Sequence, residues 1–222
     1  MLLAVDTSTT QVGVALYDGV HVIGESLWHG KLRHTTSLAP EIAALLKRTN
    51  RTMDEVTVLG VALGPGSFTS LRVGLSLIKG LALARNLPII GIPTLDILAA
   101  AQPARDLRLA TLLQAGRGRL AVGYYNASPN GIWEPKGDLS VMRVDELTEN
   151  IEEKTLICGE LSAEEREILA NNDLVELSSP SRSTRRPACL AELAWKRYQA
   201  KNTDDAASLS PIYLQVGAQI PS

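Results

Sequence analysis

Two short loops in this 222-residue chain carry residue types that bind anions. The first, Gly64-Pro65-Gly66-Ser67-Phe68-Thr69, joins an apolar run at residues 56–63 to a long apolar stretch at 69–86. Such a junction aims unpaired backbone N–H groups and the positive end of a helix at one point, and Ser67 or Thr69 can cap that helix. Phosphate binding by Gly64, Gly66, Ser67 and Thr69 is the chemistry this allows; a tight strand-to-helix turn with no ligand fits the same residues. The P-loop pattern is absent because no Gly-Lys-Ser/Thr follows, and the G-x-G-x-x-G pattern fails because Thr69 stands at the third glycine. The second loop, Asp6-Thr7-Ser8-Thr9-Thr10, sets a carboxylate and four hydroxyls between two apolar runs. Its residue types suit a hairpin turn closed by Asx and hydroxyl hydrogen bonds.

Other chemistries find little support. His21, His29 and His34 lack ligand spacing, so no metal site is expected. G-x-S-x-G is absent, which leaves no serine nucleophile elbow. Cys158 and Cys189 are too few for a disulfide framework and read as two free thiols. Arginines and lysines gather at Lys31–Arg33, Lys47–Arg51, Arg117–Arg119 and Arg182–Arg186, each read first as solvated surface and second as a phosphate-backbone contact.

The elements that must position the loops follow from periodicity. Residues 2–5 read as a buried strand, 11–16 as a second and 20–28 as a third, the last two joined through Asp18-Gly19. A helix is expected over 36–49, a strand over 56–63, a helix over 69–86, a short strand over 89–92 and a helix over 95–101. Gln102-Pro103-Ala104-Arg105-Asp106 is the boundary between lobes at 1–102 and 103–222, the last segments packing back on the first lobe. Beyond it strands resume at 108–113 and 120–125, residues 126–138 read as a loop, and helix, strand and helix follow at 145–153, 156–159 and 163–170. A final helix is expected over 187–201. The second half repeats strands-then-helices, as a duplicated α/β unit would. The 69–86 helix is apolar nearly all round, with Ser76, Gly80 and Ala84 in a small-residue stripe. It must be buried on more than one side, in a core or in a subunit interface.

Composition bounds the class. Hydrophobic residues make up 45% and charged residues 21%, enough apolar material for a core and too much for a disordered chain. The net charge of −2 gives no global attraction to nucleic acid or anionic membrane. No uncharged apolar run reaches the roughly 18 residues needed to span a bilayer, and the first residues do not read as a secretory leader. A cytoplasmic protein is expected.

Several segments together resemble one family. Leu3-Ala4-Val5-Asp6-Thr7-Ser8-Thr9, the run from Gly60 through Gly64-Pro65-Gly66-Ser67-Phe68-Thr69 to Gly74, and Lys79-Gly80-Leu81-Ala82 look like the TsaB/YeaZ family, as does Pro211-Ile212-Tyr213-Leu214 near the end. The Asp6 loop resembles the first phosphate loop of actin-like ATPases and sugar kinases. The resemblance implies an α/β, actin-like ATPase (ASKHA, ribonuclease H-like) fold with two α/β lobes. It also implies a noncatalytic scaffold and activator of the machinery that makes N6-threonylcarbamoyladenosine (t6A) at position 37 of tRNA. There the chain pairs with the catalytic relative TsaD, together with the small ATPase TsaE, touches tRNA only through the complex, and forms a homodimer when alone. ATP and metal belong to the partner subunits, and this chain holds neither; the Asp6 and Gly64–Thr69 loops are a vestigial anion site. The interface it implies packs the 36–49 and 69–86 helices against their equivalents in TsaD, with Leu38, Ile42, Leu45, Leu71, Leu75 and Ile78 as apolar anchors and Arg72 and Lys79 at the rim. Where the catalytic relative carries a metal-binding His-Met-Glu-Gly-His segment, this chain has Thr94-Leu95-Asp96-Ile97-Leu98, and neither Thr94 nor Leu98 replaces an imidazole. Two positions depart from the family's pattern: Ser70 for a glycine, and Gln114 for an acid. An autonomous ATPase or kinase of the same fold, and a metallopeptidase-like protein, are the rival readings.

Overall fold

A computed structural model describes residues 1–30 and 34–214; Lys31 and Arg33, with the side chain of His34, lie outside the described residues. The first ninety-odd residues run β1 (Leu2–Asp6), β2 (Gln11–Tyr17), β3 (Val22–His29), α1 (His34–Arg48), β4 (Val58–Gly64), α2 (Phe68–Arg85), β5 (Ile89–Pro93), followed by α3 (Thr94–Ala100). Then come β6 (Arg108–Gly116), β7 (Arg119–Ala127), β8 (Trp133–Met142), α4 (Val144–Glu149), β9 (Thr155–Gly159), α5 (Ala163–Ala170), β10 (Val175–Leu177) and α6 (Pro187–Gln199). Among the described residues no helix is long and apolar enough to cross a membrane.

Each half builds one five-stranded sheet, ordered β3-β2-β1-β4-β5 and β8-β7-β6-β9-β10. In both, three strands meander antiparallel and the central one pairs parallel with the fourth: Val5 lies beside Val61 in the first sheet, and Ala110 beside Ile157 in the second. The duplicated α/β unit expected from the sequence is therefore present. Two sequence expectations change in the second half. Residues 126–138 are not one loop, because β8 begins at Trp133; its Pro135 and Gly137 mask it as a turn, and an edge strand tolerates both. The three-residue β10 gave no periodic signal at all.

Alternation along β1 and β2 sorts side chains onto two faces. Leu3, Val5, Val12, Val14 and Leu16 face one way and pack under α1 and α2. Leu2, Ala4, Ala15 and Ala62 face the other way and pack under α6, which comes from beyond the second sheet. Ala4, Ala15, Gly60 and Ala62 let α6 approach closely there: a side chain at Gly60 would stand 3.1 Å from Ala194 Cβ. The second sheet is covered likewise, by α3 on one face and by α4 and α5 on the other.

This layering corrects the expected role of the six apolar anchors. A sheet whose central strands are buried on both faces needs helices to cover it. Leu38, Ile42, Leu45, Leu75 and Ile78 sit in one cluster with Leu3, Val5 and Val61, and Leu71 is equally buried. They hold α1 and α2 to their own sheet, and of the six only Leu38 also lines a groove on the outer side. What α2 turns outward is the other side of the helix: Thr69, Arg72, Ser76, Gly80, Leu83 and Ala84 are exposed, and Val73, Leu77 and Leu81 are half-buried. Truncating Leu75 to Ala is expected to cost about 2–5 kcal/mol in a urea titration, as for any buried leucine.

Candidate functional site

The expected anion loops lie side by side, one following β1 and the other following β4, but they are spent on each other. Ser67 caps α2, its hydroxyl accepting from Ser70 N, while Ser67 N donates to Ser8 O at 2.7 Å. The loops touch so closely that a Cβ on Gly66 would lie 2.2 Å from Ser8 O, and one on Gly74 would lie 2.3 Å from Thr7 Oγ1. These glycines thus admit the neighbouring loop rather than a phosphate. Thr7 Oγ1 donates to Ser70 O at 2.7 Å, and the Ser8 and Thr94 hydroxyls bond at 2.7 Å. Gly64 N donates to Thr94 Oγ1 at 2.9 Å. Ser8 N donates to Asp6 Oδ1 at 2.8 Å. Thr69 is exposed, outside this contact.

Asp6 itself meets a cation from the far end of the chain. Arg185 Nε donates to Asp6 Oδ2 at 2.9 Å, and Arg185 Nη2 donates to Thr9 Oγ1 at 2.9 Å and to Gln11 O at 2.8 Å. Arg185 Nη1 is paired with Glu160, which follows β9 of the second sheet and also accepts from Thr9 Oγ1 at 2.9 Å. The Arg185 side chain is 0% exposed and that of Asp6 2%. Burial opposes the arginine's charge, yet the carboxylates of Asp6 and Glu160 outweigh it and raise its proton affinity, so it stays a guanidinium. The expectation that Arg182, Arg185 and Arg186 are alike as surface charges fails for Arg185. Arg182 and Arg186 are exposed as expected, and Arg186 pairs with Glu25. A protein cation thus sits on the Asp6 carboxylate, and with Ser8 N, Gly64 N and Ser67 N donated within the protein a nucleotide–metal pair does not fit the residues present.

The position compared with a metal-binding segment is equally committed. Thr94 is fully buried with its hydroxyl between Ser8 and Gly64, and Leu98 lies in the second-lobe core. Among the described residues no three His, Cys, Asp or Glu side chains converge as a metal site. Burial pushes the Cys158 thiol up to about 12 and that of Cys189 to about 11, which makes neither a thiolate nucleophile. Gln114, where an acid was expected, donates from Nε2 to Glu160 O at 3.1 Å and to Glu165 Oε2 at 2.7 Å. A carboxylate there would face the Glu165 carboxylate, so the neutral amide suits this environment.

A second feature lies on the outer side of α1 and α2. Leu38, Val73, Ser76 and Leu77 line an apolar groove of about 500 Å³, with Phe68 and Arg72 at one end. The Arg72 guanidinium stacks 3.7 Å over the Phe68 ring and donates from Nε to Tyr213 Oη at 3.0 Å. The Tyr213 ring stands 5.1 Å from that of Phe68. Tyr213 is brought there by Ile212, whose N donates to Leu63 O, which is what the Pro211–Leu214 segment does in the fold. Lys79, by contrast, folds back to Ala207 O at 3.4 Å. Phe68 is half exposed, although it is the only phenylalanine in the chain.

Sequence reasoning could have found the clasp only in part. An acid ending an apolar strand requires a partner, but nothing local links Asp6 to a residue 179 positions away. Removing that partner is the sharper perturbation. Arg185→Met should lower unfolding free energy by about 3–5 kcal/mol, because it strands a buried carboxylate. Arg186→Ala, at the solvent-facing pair, should cost no more than about 1 kcal/mol. Chemical denaturation of both variants checks the contrast.

Comparisons with known proteins agree with this geometry. Residues 30–171 match the family model described as "TsaD: tRNA N6-adenosine threonylcarbamoyltransferase", more than half of the chain. The tRNA threonylcarbamoyladenosine biosynthesis protein TsaB of Bacillus subtilis is 32% identical over 153 residues, which span 69% of this chain and 66% of that protein. YeaZ from Pseudomonas aeruginosa superposes with a TM-score of 0.79 at 22% identity, covering 96% of this chain and 99% of that one. The activator of 2-hydroxyisocaproyl-CoA dehydratase from Clostridium difficile, solved with bound ADPNP, superposes with a TM-score of 0.52 at 10% identity, covering 92% and 98%. The fold is the two-lobed actin-like ATPase fold.

Proposed function

Because this chain belongs to the TsaB/YeaZ family, we propose that it is a noncatalytic scaffold and activator subunit in the synthesis of threonylcarbamoyladenosine on tRNA, pairing with TsaD and, with it, TsaE. The observation that carries this reading is the outward side of α2, where Val73, Ser76, Leu77, Gly80, Leu83 and Ala84 form an apolar, small-residue surface beside the α1–α2 groove. An apolar helix side of this kind is a docking surface, and small residues let a second helix come close. The match to the TsaD model supports a partner of related architecture, so that like helices meet across the interface. The closed Asp6 loop and the engaged Thr94 support placing ATP and metal on the partner subunits. In this reading tRNA is met through the complex, the chain works in the cytoplasm, and without its partner the same surface joins two copies of itself.

The test is threonylcarbamoyl transfer to tRNA by TsaD and TsaE with a supplied donor-forming enzyme, with and without this chain. Strong dependence is expected, and none, with every partner shown active, would refute the role. Gly80 separates docking from folding. A side chain there meets nothing within 4 Å of its Cβ. Gly80→Arg should therefore leave the thermal midpoint at or above that of the unaltered protein, since glycine costs a helix interior about 1 kcal/mol. The same change should weaken TsaD binding at least roughly tenfold, about 1.4 kcal/mol, measured by titration calorimetry.

A further inference from the structure

We infer that the slot between the two lobes is a guanidinium site which the chain fills with its own Arg185, and that this filling sets one lobe against the other with no nucleotide bound. Four acceptors converge on the one planar group: Asp6, Thr9 and the Gln11 carbonyl from the first lobe, and Glu160 from the second. Their arrangement selects for the fork. Nε and both Nη atoms are each used, on acceptors that approach from different sides, whereas an ammonium offers one compact point of charge and three donors.

The slot is held ready independently of the arginine. Asp6 Oδ1 accepts from Ser8 N, and Glu160 accepts from Thr9 Oγ1, so both carboxylates are aimed before the cation is counted. Arg185 in turn is delivered by the start of α6. The Pro187 ring packs so tightly on β2 that a Cβ at Gly13 would lie 2.9 Å from it, and Ala188 N donates to Glu25 Oε1 at 3.0 Å. A polyphosphate entering the slot would face Asp6 and Glu160, two like charges, with the Ser67 amide already donated to Ser8. An open cleft of about 860 Å³, lined mostly by second-lobe residues, reaches the slot's edge at Thr10, Glu160 and Ser183.

The experiment uses the full chain with Arg185→Gly and compares ethylguanidinium with ethylammonium at equal concentration and ionic strength. The variant is expected to lose roughly 6–20 °C of thermal midpoint and to expand in small-angle scattering. Ethylguanidinium should restore both saturably, while ethylammonium and Mg-ATP should restore neither. Unchanged scattering and midpoint in the variant, or an equal response to the two cations, would overturn the inference. If Arg185→Gly does not fold, Arg185→Lys decides, because it keeps the charge and loses the fork. It should fold with a lowered midpoint and faster amide exchange at both residues 7–11 and 159–161, and exchange unchanged at either stretch would overturn the inference.

Discussion

A charged arginine buried between two sheets is costly unless every acceptor it needs is waiting for it, and much of this molecule is arranged to meet that requirement. Asp6 ends β1, Thr9 and the Gln11 carbonyl lie on the way into β2, Glu160 leaves β9, and Arg185 enters α6, so three separate chain segments meet at one planar group. The close contact between the Asp6 and Gly64–Thr69 loops belongs to the same arrangement. With Gly66 and Gly74 admitting Ser8 and Thr7, the Thr7 and Ser8 hydroxyls and the Ser8 and Ser67 amides bond within the protein, and the second oxygen of Asp6 meets the guanidinium.

The duplicated topology explains why such a meeting point exists. Each sheet has the same order, with its central strand beside a meander on one side and a parallel strand on the other. β1 ends in Asp6, and Glu160 directly follows β9, so each sheet delivers one carboxylate to the arginine. In the solved activator of the same fold an adenine nucleotide analogue is bound. In this chain the acidic loop after β1 holds an arginine of the protein itself.

How much could be read from residue types alone differs sharply between the halves. In the first lobe, continuous apolar runs, Asp18-Gly19 and the glycine-rich turn fix strands and helices to within a residue or two, since buried parallel strands and a capped helix leave strong local signals. β8 went unread because Pro135 and Gly137 are turn residues tolerated on an exposed edge. For the site, type was legible and direction was not. Leu38, Leu75 and Ile78 announce apolar helix faces, but α2 is apolar on two sides, and only the covering of β1 and β4 decides which side faces inward. Arg185 was hidden among Arg182 and Arg186 because burial is a property of the assembled lobes, and no local pattern encodes a pairing over that separation.

That separation has a consequence in time. In synthesis Asp6 leaves the ribosome 179 positions ahead of its counter-ion. The same late stretch supplies α6, which covers the Leu2, Ala4 and Ala62 face of the first sheet. Until α6 emerges, the first lobe therefore has one apolar face bare and one buried acid without its cation, however complete its own strands and helices are. The N-terminal half therefore completes its packing only with residues made after the second sheet.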